Sequence, residues 1–147
     1  MKKLFLPLFV LVLFACDKNA QLNHVEKKMP GSWHYTKVEY KPNFGFSQDY
    51  TDMFSDCTWQ FNKDLSVTLD NDKTMESYTG VWEVNDVMVP SSDGSTIYAY
   101  ELIASLSDDV SGEAMLIVWE NLNVTSTKIT ASHNTQDGLY TYKLRKD

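Results

Sequence analysis

Cysteine is scarce in this chain, and the two present, Cys16 and Cys57, are too few for a disulfide framework or a clustered-thiolate metal knuckle. Glycine and proline are modest, at six and four. No phosphate-cradling glycine loop, dinucleotide fingerprint or nucleophile elbow can be drawn from them. The three histidines, His24, His34 and His133, are too far apart to give a metal-ligand pair from local spacing. Positive charge is also short: 13 Lys and Arg against 20 Asp and Glu leave a net charge of −7. A surface of that sign repels a phosphate backbone, which sets nucleic-acid binding aside. Long apolar runs are missing as well. The longest, Leu4 to Phe14, is too short to cross a bilayer as a helix.

That apolar run follows Met1-Lys2-Lys3, and a short basic stretch before a short apolar core is the pattern of an export signal. It ends in Leu13-Phe14-Ala15-Cys16, which resembles the lipobox of bacterial lipoproteins. The resemblance implies that residues 1–15 are removed and that Cys16 becomes the acylated first residue. Two or three acyl chains anchor a protein stably, since each buried methylene contributes about 0.8 kcal/mol. The expected location is the bacterial cell envelope, with membrane lipid as the first partner. Asp17 is an inner-membrane retention signal in some bacteria, and the choice of membrane stays open. With Cys16 consumed as a thioether, no intramolecular disulfide is expected. Cys57, beside an apolar alternation, reads as a small buried hydrophobe.

Roughly 130 residues remain after the signal, enough for one domain with one core. Without Lys2 and Lys3 they carry a net charge of about −9. Residues 16–29 read as a tether, able to form a helical turn or two before Pro30 stops it. From residue 30 to 147 β-branched and aromatic residues gather in short alternating runs, divided by Asn, Asp, Gly and Ser. The runs are 32–40, 57–61, 66–69, 77–84, 97–106, 114–120, 128–133 and 139–144. Trp33 and Tyr35 alternate away from Thr36, Val38 and Tyr40, and Tyr78, Gly80, Trp82 and Val84 share a face. About eight antiparallel strands without intervening helices predict an all-β fold, an up-and-down barrel that closes to remove its edges. A sandwich is the alternative. The connection from Lys41 to Asp56 is long for a hairpin and rich in aromatics, so it is expected to lie over one barrel mouth.

Gly31-Ser32-Trp33, followed by that long first loop, resembles the Gly-X-Trp start of lipocalins, and nearly all of residues 30–147 is similar to lipocalin-like envelope lipoproteins. Tyr78-Thr79-Gly80-Val81-Trp82 repeats the Gly-X-Trp pattern in mid-domain. The resemblance implies that Gly31 and Trp33 close one barrel end, with Arg145 laid over the indole.

Chemistry-bearing groups are sparse. Asp49, Asp52 and Asp56, and Asp108, Asp109 and Glu113, lack the spacing of a calcium loop and read as solvated turn carboxylates. Glu39, Glu83, Glu101 and Glu120 lie on strands, where a catalytic pair is conceivable but not indicated. The expectation is therefore a non-enzymatic protein without metal or cofactor. The aromatics suggest a small apolar or amphipathic ligand held in a mouth by Phe44, Phe46, Tyr50, Phe54, Tyr98 and Tyr100. The alternative is a solid-cored barrel that binds an envelope protein or polymer through its surface.

Overall fold

The computed structural model describes residues 18–108 and 110–147; residues 1–17, on which the expectations of an export signal and of an acylated Cys16 fall, and Asp109 lie outside them. In chain order the elements are α1 (Lys18–Lys28), β1 (Gly31–Pro42), the two-residue β2 (Gln48–Asp49), α2 (Thr51–Phe54), β3 (Cys57–Phe61), β4 (Ser66–Asn71), β5 (Glu76–Pro90), β6 (Thr96–Asp108), β7 (Ala114–Val124), β8 (Lys128–Asn134) and β9 (Gly138–Lys146). β1 and β3 to β9 follow one another antiparallel around the sheet, and β9 pairs back onto β1 from Trp33–Lys146 to Pro42–Gly138. The fold is thus the expected closed eight-stranded antiparallel β-barrel, and β2 is a short flap on the outer stretch of β1 at Glu39 and Tyr40.

The two-residue period decides what goes inside. Trp59 and Phe61 of β3, Val67 of β4, Trp82 and Val84 of β5, Leu102, Ala104 and Leu106 of β6, and Trp119 of β7 are all buried. β1 departs from simple alternation. Thr36 is an extra residue opposite β9, because Tyr35 pairs Leu144 and Lys37 pairs Lys143. This bulge returns Val38 to the same interior as Trp33 and Tyr35, where it is fully buried. The sequence had placed Val38 on the opposite face.

The two ends of the barrel differ. At the first end, here the floor, α1 spans three turns and belongs to the core. Val25 and Met29 are buried and Leu22 packs against them, and this i, i+3, i+7 spacing gives the helix one apolar stripe. Lys27 and Lys28 in its last turn favour the negative end of its dipole. The segment expected to be a spacer therefore seals the floor, and the indole N–H of Trp33 donates to the Met29 carbonyl at 2.7 Å.

The cation over Trp33 is Lys146, at 5.0 Å from the ring centre, and not Arg145. Tyr140, Tyr142, Leu144 and Lys146 share the barrel side of β9, so Arg145 points outward and is exposed. The Lys146 ammonium also donates to the carbonyls of Pro30 (2.6 Å) and Lys28 (3.3 Å). One residue of register separates the expected lid from the real one.

Candidate functional site

The barrel interior is filled. The Trp59 ring stacks on Phe61 at 5.4 Å and meets the edge of Trp119 at 5.1 Å, while Phe61 meets Trp82 at 5.7 Å. Trp119 continues to Tyr142 at 6.0 Å and to Tyr35 at 6.4 Å. Offset and edge-to-face pairs of this kind add roughly 0.5–1.5 kcal/mol each beyond area burial. Their polar atoms are provided for: Trp59 donates to the Tyr35 hydroxyl at 2.9 Å and Trp82 to the Asn62 carbonyl at 3.2 Å.

At the end opposite α1, the mouth, a layer of aromatics closes over this column. Tyr40, Tyr50, Tyr140 and Tyr142 stack in succession, with Tyr40–Tyr140 at 4.6 Å and Tyr140–Tyr142 at 6.2 Å. Phe54 packs on Tyr35 at 5.3 Å. α2 is held there by its own turn chemistry: Asp49 accepts from the Thr51 N–H and hydroxyl, and the Thr51 hydroxyl accepts from Val38 N–H. Beside Phe54 a cleft of about 190 Å³ runs between β7 and β8, lined by Tyr35, Ile117, Trp119, His133 and Tyr142. It opens where β8 ends at Asn134 while β7 continues to Ala114. The Nδ1 atom of His133 is buried there without a hydrogen-bond partner, an arrangement that costs roughly 1–3 kcal/mol.

No protein family, curated protein or solved structure matches the chain.

The six residues expected to form one ligand site are dispersed. Tyr50 and Phe54 are half-buried in the mouth layer. Phe44 and Phe46, in the loop between β1 and β2, are 94% and 92% exposed. Tyr98 and Tyr100 lie at the floor, because β6 starts beyond that end and climbs toward the mouth. There they face a groove of about 690 Å³ shared with Gln21, His24, Val25 and Leu122, and the Tyr100 hydroxyl donates to Gln21 at 3.1 Å. Tyr98, Tyr100, Leu102, Ala104 and Leu106 do share one face of β6, as their alternation predicts, but the face outruns the barrel, with burial starting only at Leu102. His133, which the sequence offers only as one of three unclustered histidines, is turned inward by the register of β8, where Ile129 and Ala131 are buried.

The carboxylates serve local structure. Asp49 and Asp108 accept hydrogen bonds from the next turn, Asp108 from Val110 N–H and the Ser111 hydroxyl. Those bonds hold both carboxyls below the usual range. Glu120 binds the Asn134 backbone and side chain. Among the described residues no three His, Cys, Asp or Glu side chains converge as a metal cluster. Cys57 is a free buried thiol, pushed up by burial and by the charges of Asp56 and Asp72.

Burial pushes the Tyr142 phenol up to about 12, with Tyr140 adding to the effect, and raises Tyr35 still further. Because the folded protein holds these protons more tightly than the unfolded chain, their contribution to stability is complete below pH 10. It falls as pH rises from there through the folded value of Tyr142. In an alkaline titration followed by phenolate absorbance and circular dichroism together, Tyr35 and Tyr142 are expected to ionise only as the fold is lost. Ionisation of all eight tyrosines in one step near pH 10, with the dichroism intact, would contradict the buried mouth.

Proposed function

We propose that this chain is a lipid-anchored protein of the bacterial cell envelope that works by surface contact, as a binding module without catalytic chemistry. The observation that supports contact over ligand storage is the filled interior: Trp33, Trp59, Phe61, Trp82 and Trp119 occupy the volume a hollow barrel would offer. Its presenting feature is Phe44-Gly45-Phe46, two nearly fully exposed aromatic rings on a short loop beside the mouth. The rings rest on little of the fold, and aromatic side chains are the residues that anchor protein interfaces. The partner this suits is an envelope protein with an apolar pocket.

The test is a photo-crosslinking amino acid at Ser47, compared in growing cells with one at Lys63 near the floor. The expected result is a discrete adduct from Ser47 that disappears when Phe44→Ser and Phe46→Ser are introduced together. The same double variant should unfold within about 0.5 kcal/mol of the parent in urea, as exposed substitutions do. An adduct from Lys63 alone, or none from Ser47, would remove the loop from the proposal.

A second reading is favoured by the cleft beside His133. At about 190 Å³ it suits a molecule of a single ring and not an acyl chain. Native mass spectrometry of the protein purified without detergent separates the two readings. A retained small-molecule mass lost in Trp119→Phe supports the cleft, and a clean protein mass supports contact.

A further inference from the structure

The β5–β6 pair is longer than the barrel requires. Val84 and Leu102 are the last buried partners on its inward face, yet the ladder continues from Asn85–Glu101 to Pro90–Thr96. Six further residues of strand extend about 20 Å. Between Asp86 and Glu101 the ribbon carries a single charge, Asp93 in its turn. Val87 pairs with Ala99 and Val89 with Ile97 on one face, while Met88 pairs with Tyr98 on the other. Met88 is 70% and Ile97 51% exposed.

The start of the described chain lies at the same end. Met29 is fixed in the barrel floor beneath Trp33, and α1 runs back from it beside the ribbon, where Gln21 accepts from Tyr100. Lys18 precedes Gln21 by three helical residues, about 4.5 Å, so the start of the described chain lies beside the base of the ribbon, on the same side of the barrel as the four further pairs from Val87–Ala99 to Pro90–Thr96. Cys16 precedes Lys18 by two residues, at most about 7 Å of chain.

We infer that the end of the β5–β6 ribbon rests in the interfacial layer of the membrane that holds Cys16. The barrel then stands floor-down, with the Phe44–Phe46 loop turned away from the lipid. This inference rests on the lipid-anchor reading above. A few apolar side chains bind a bilayer weakly by themselves, but an acyl anchor a few residues away makes that contact effectively intramolecular. Charge selects the same orientation. The mature chain carries about −9 and is repelled by anionic headgroups, whereas the ribbon is its least charged extension. Asp93, whose carboxyl is held low by the Ser95 hydroxyl and N–H, stays ionised. The turn therefore remains in the hydrated headgroup layer with the apolar pairs lying against the lipid behind it.

The experiment uses the full chain, purified from membranes and reconstituted in vesicles of phosphatidylethanolamine and phosphatidylglycerol, on a Cys57→Ala background. An environment-sensitive fluorophore is placed through Met88→Cys, Ile97→Cys or Phe46→Cys, and a nitroxide is carried on the lipid near the headgroup. The expected result is at least a twofold loss of fluorescence at position 88 or 97 and little change at 46. Equal response at all three positions, or quenching only at 46, overturns the orientation. Intact mass on the same samples separates the two layers of argument: acylated protein with unquenched ribbon probes defeats the orientation alone, and unacylated protein defeats the anchor reading and the orientation with it.

Discussion

Trp119→Ala is expected to lower the unfolding free energy by about 3–5 kcal/mol, the range for removing a large buried aromatic side chain. Trp119 is 1% exposed and touches the rings of Tyr35, Trp59, Phe61 and Tyr142. It is the point where the floor-side column of Trp59 and Phe61 meets the mouth layer. A small domain has about 5–15 kcal/mol in total, so this one truncation consumes a large part of it. Urea unfolding followed by near-ultraviolet dichroism measures the loss. Two further outcomes give the result its meaning. Added indole should recover part of the stability by occupying an apolar hole of its own shape. A loss below about 1 kcal/mol, the scale of an ordinary substitution, would mean that the interior is loose, and the contact reading would yield to an open ligand cavity.

The same packing explains what could be read from the sequence. Strands β3 to β9 were legible because one face of each must be buried in a barrel, which imposes a period of two on the side chains. The features that failed are those where one residue of register matters. Thr36-Lys37 gives no local sign of a bulge, and only the pairing of β1 with β9 reveals that Val38 turns inward. Arg145 and Lys146 are chemically alike as cations, so a family pattern could not say which of the two faces Trp33. The stripe of Leu22, Val25 and Met29 in α1 was readable at helical spacing. A segment directly after a cysteine expected to carry lipid suggests a spacer, whereas the open floor of a barrel supplies the apolar surface that makes such a helix stable.

The candidate site was harder for a different reason. Phe44 and Phe46 share their composition with Tyr50 and Phe54, and composition cannot separate rings that pack from rings that project. Here the separation comes from hydrogen bonding. Asp49 and Thr51 pin α2 to Val38, which sets Phe54 on Tyr35, while Gly45 at φ +116° lets the preceding turn swing outward. Which end of β6 leaves the barrel is likewise a property of the whole ladder. Tyr98 and Leu106 follow the same alternation and end at opposite poles.

Gly80→Ala is the second substitution expected to be severe, at about 3 kcal/mol or more, the upper range for forcing extra volume into a packed site. Gly80 has no positive φ to defend; what it provides is room. A Cβ built there would lie 1.9 Å from the Ser105 carbonyl oxygen and within 3 Å of Ser105 C and Leu106 Cα. All three are backbone atoms of β6, and the ladder that holds them runs unbroken from Tyr78–Asp108 to Pro90–Thr96. Relief therefore requires the strands to part, since no side chain can rotate away. Gly94→Ala is the control: its Cβ meets nothing within 4 Å, and only the φ of +82° resists it, at about 1 kcal/mol. Thermal melts of both variants, with hydrogen exchange along β5 and β6, would show the first losing protection from Tyr78 to Val84 and the second losing it only at the turn. Equal effects would mean that β5 and β6 are free to slide apart. The ribbon's angle to the barrel would then be soft, and so would the membrane orientation proposed for it. A large effect at Gly80 alone means that the close crossing of two backbones fixes that angle, and that the ribbon and the barrel move as one body.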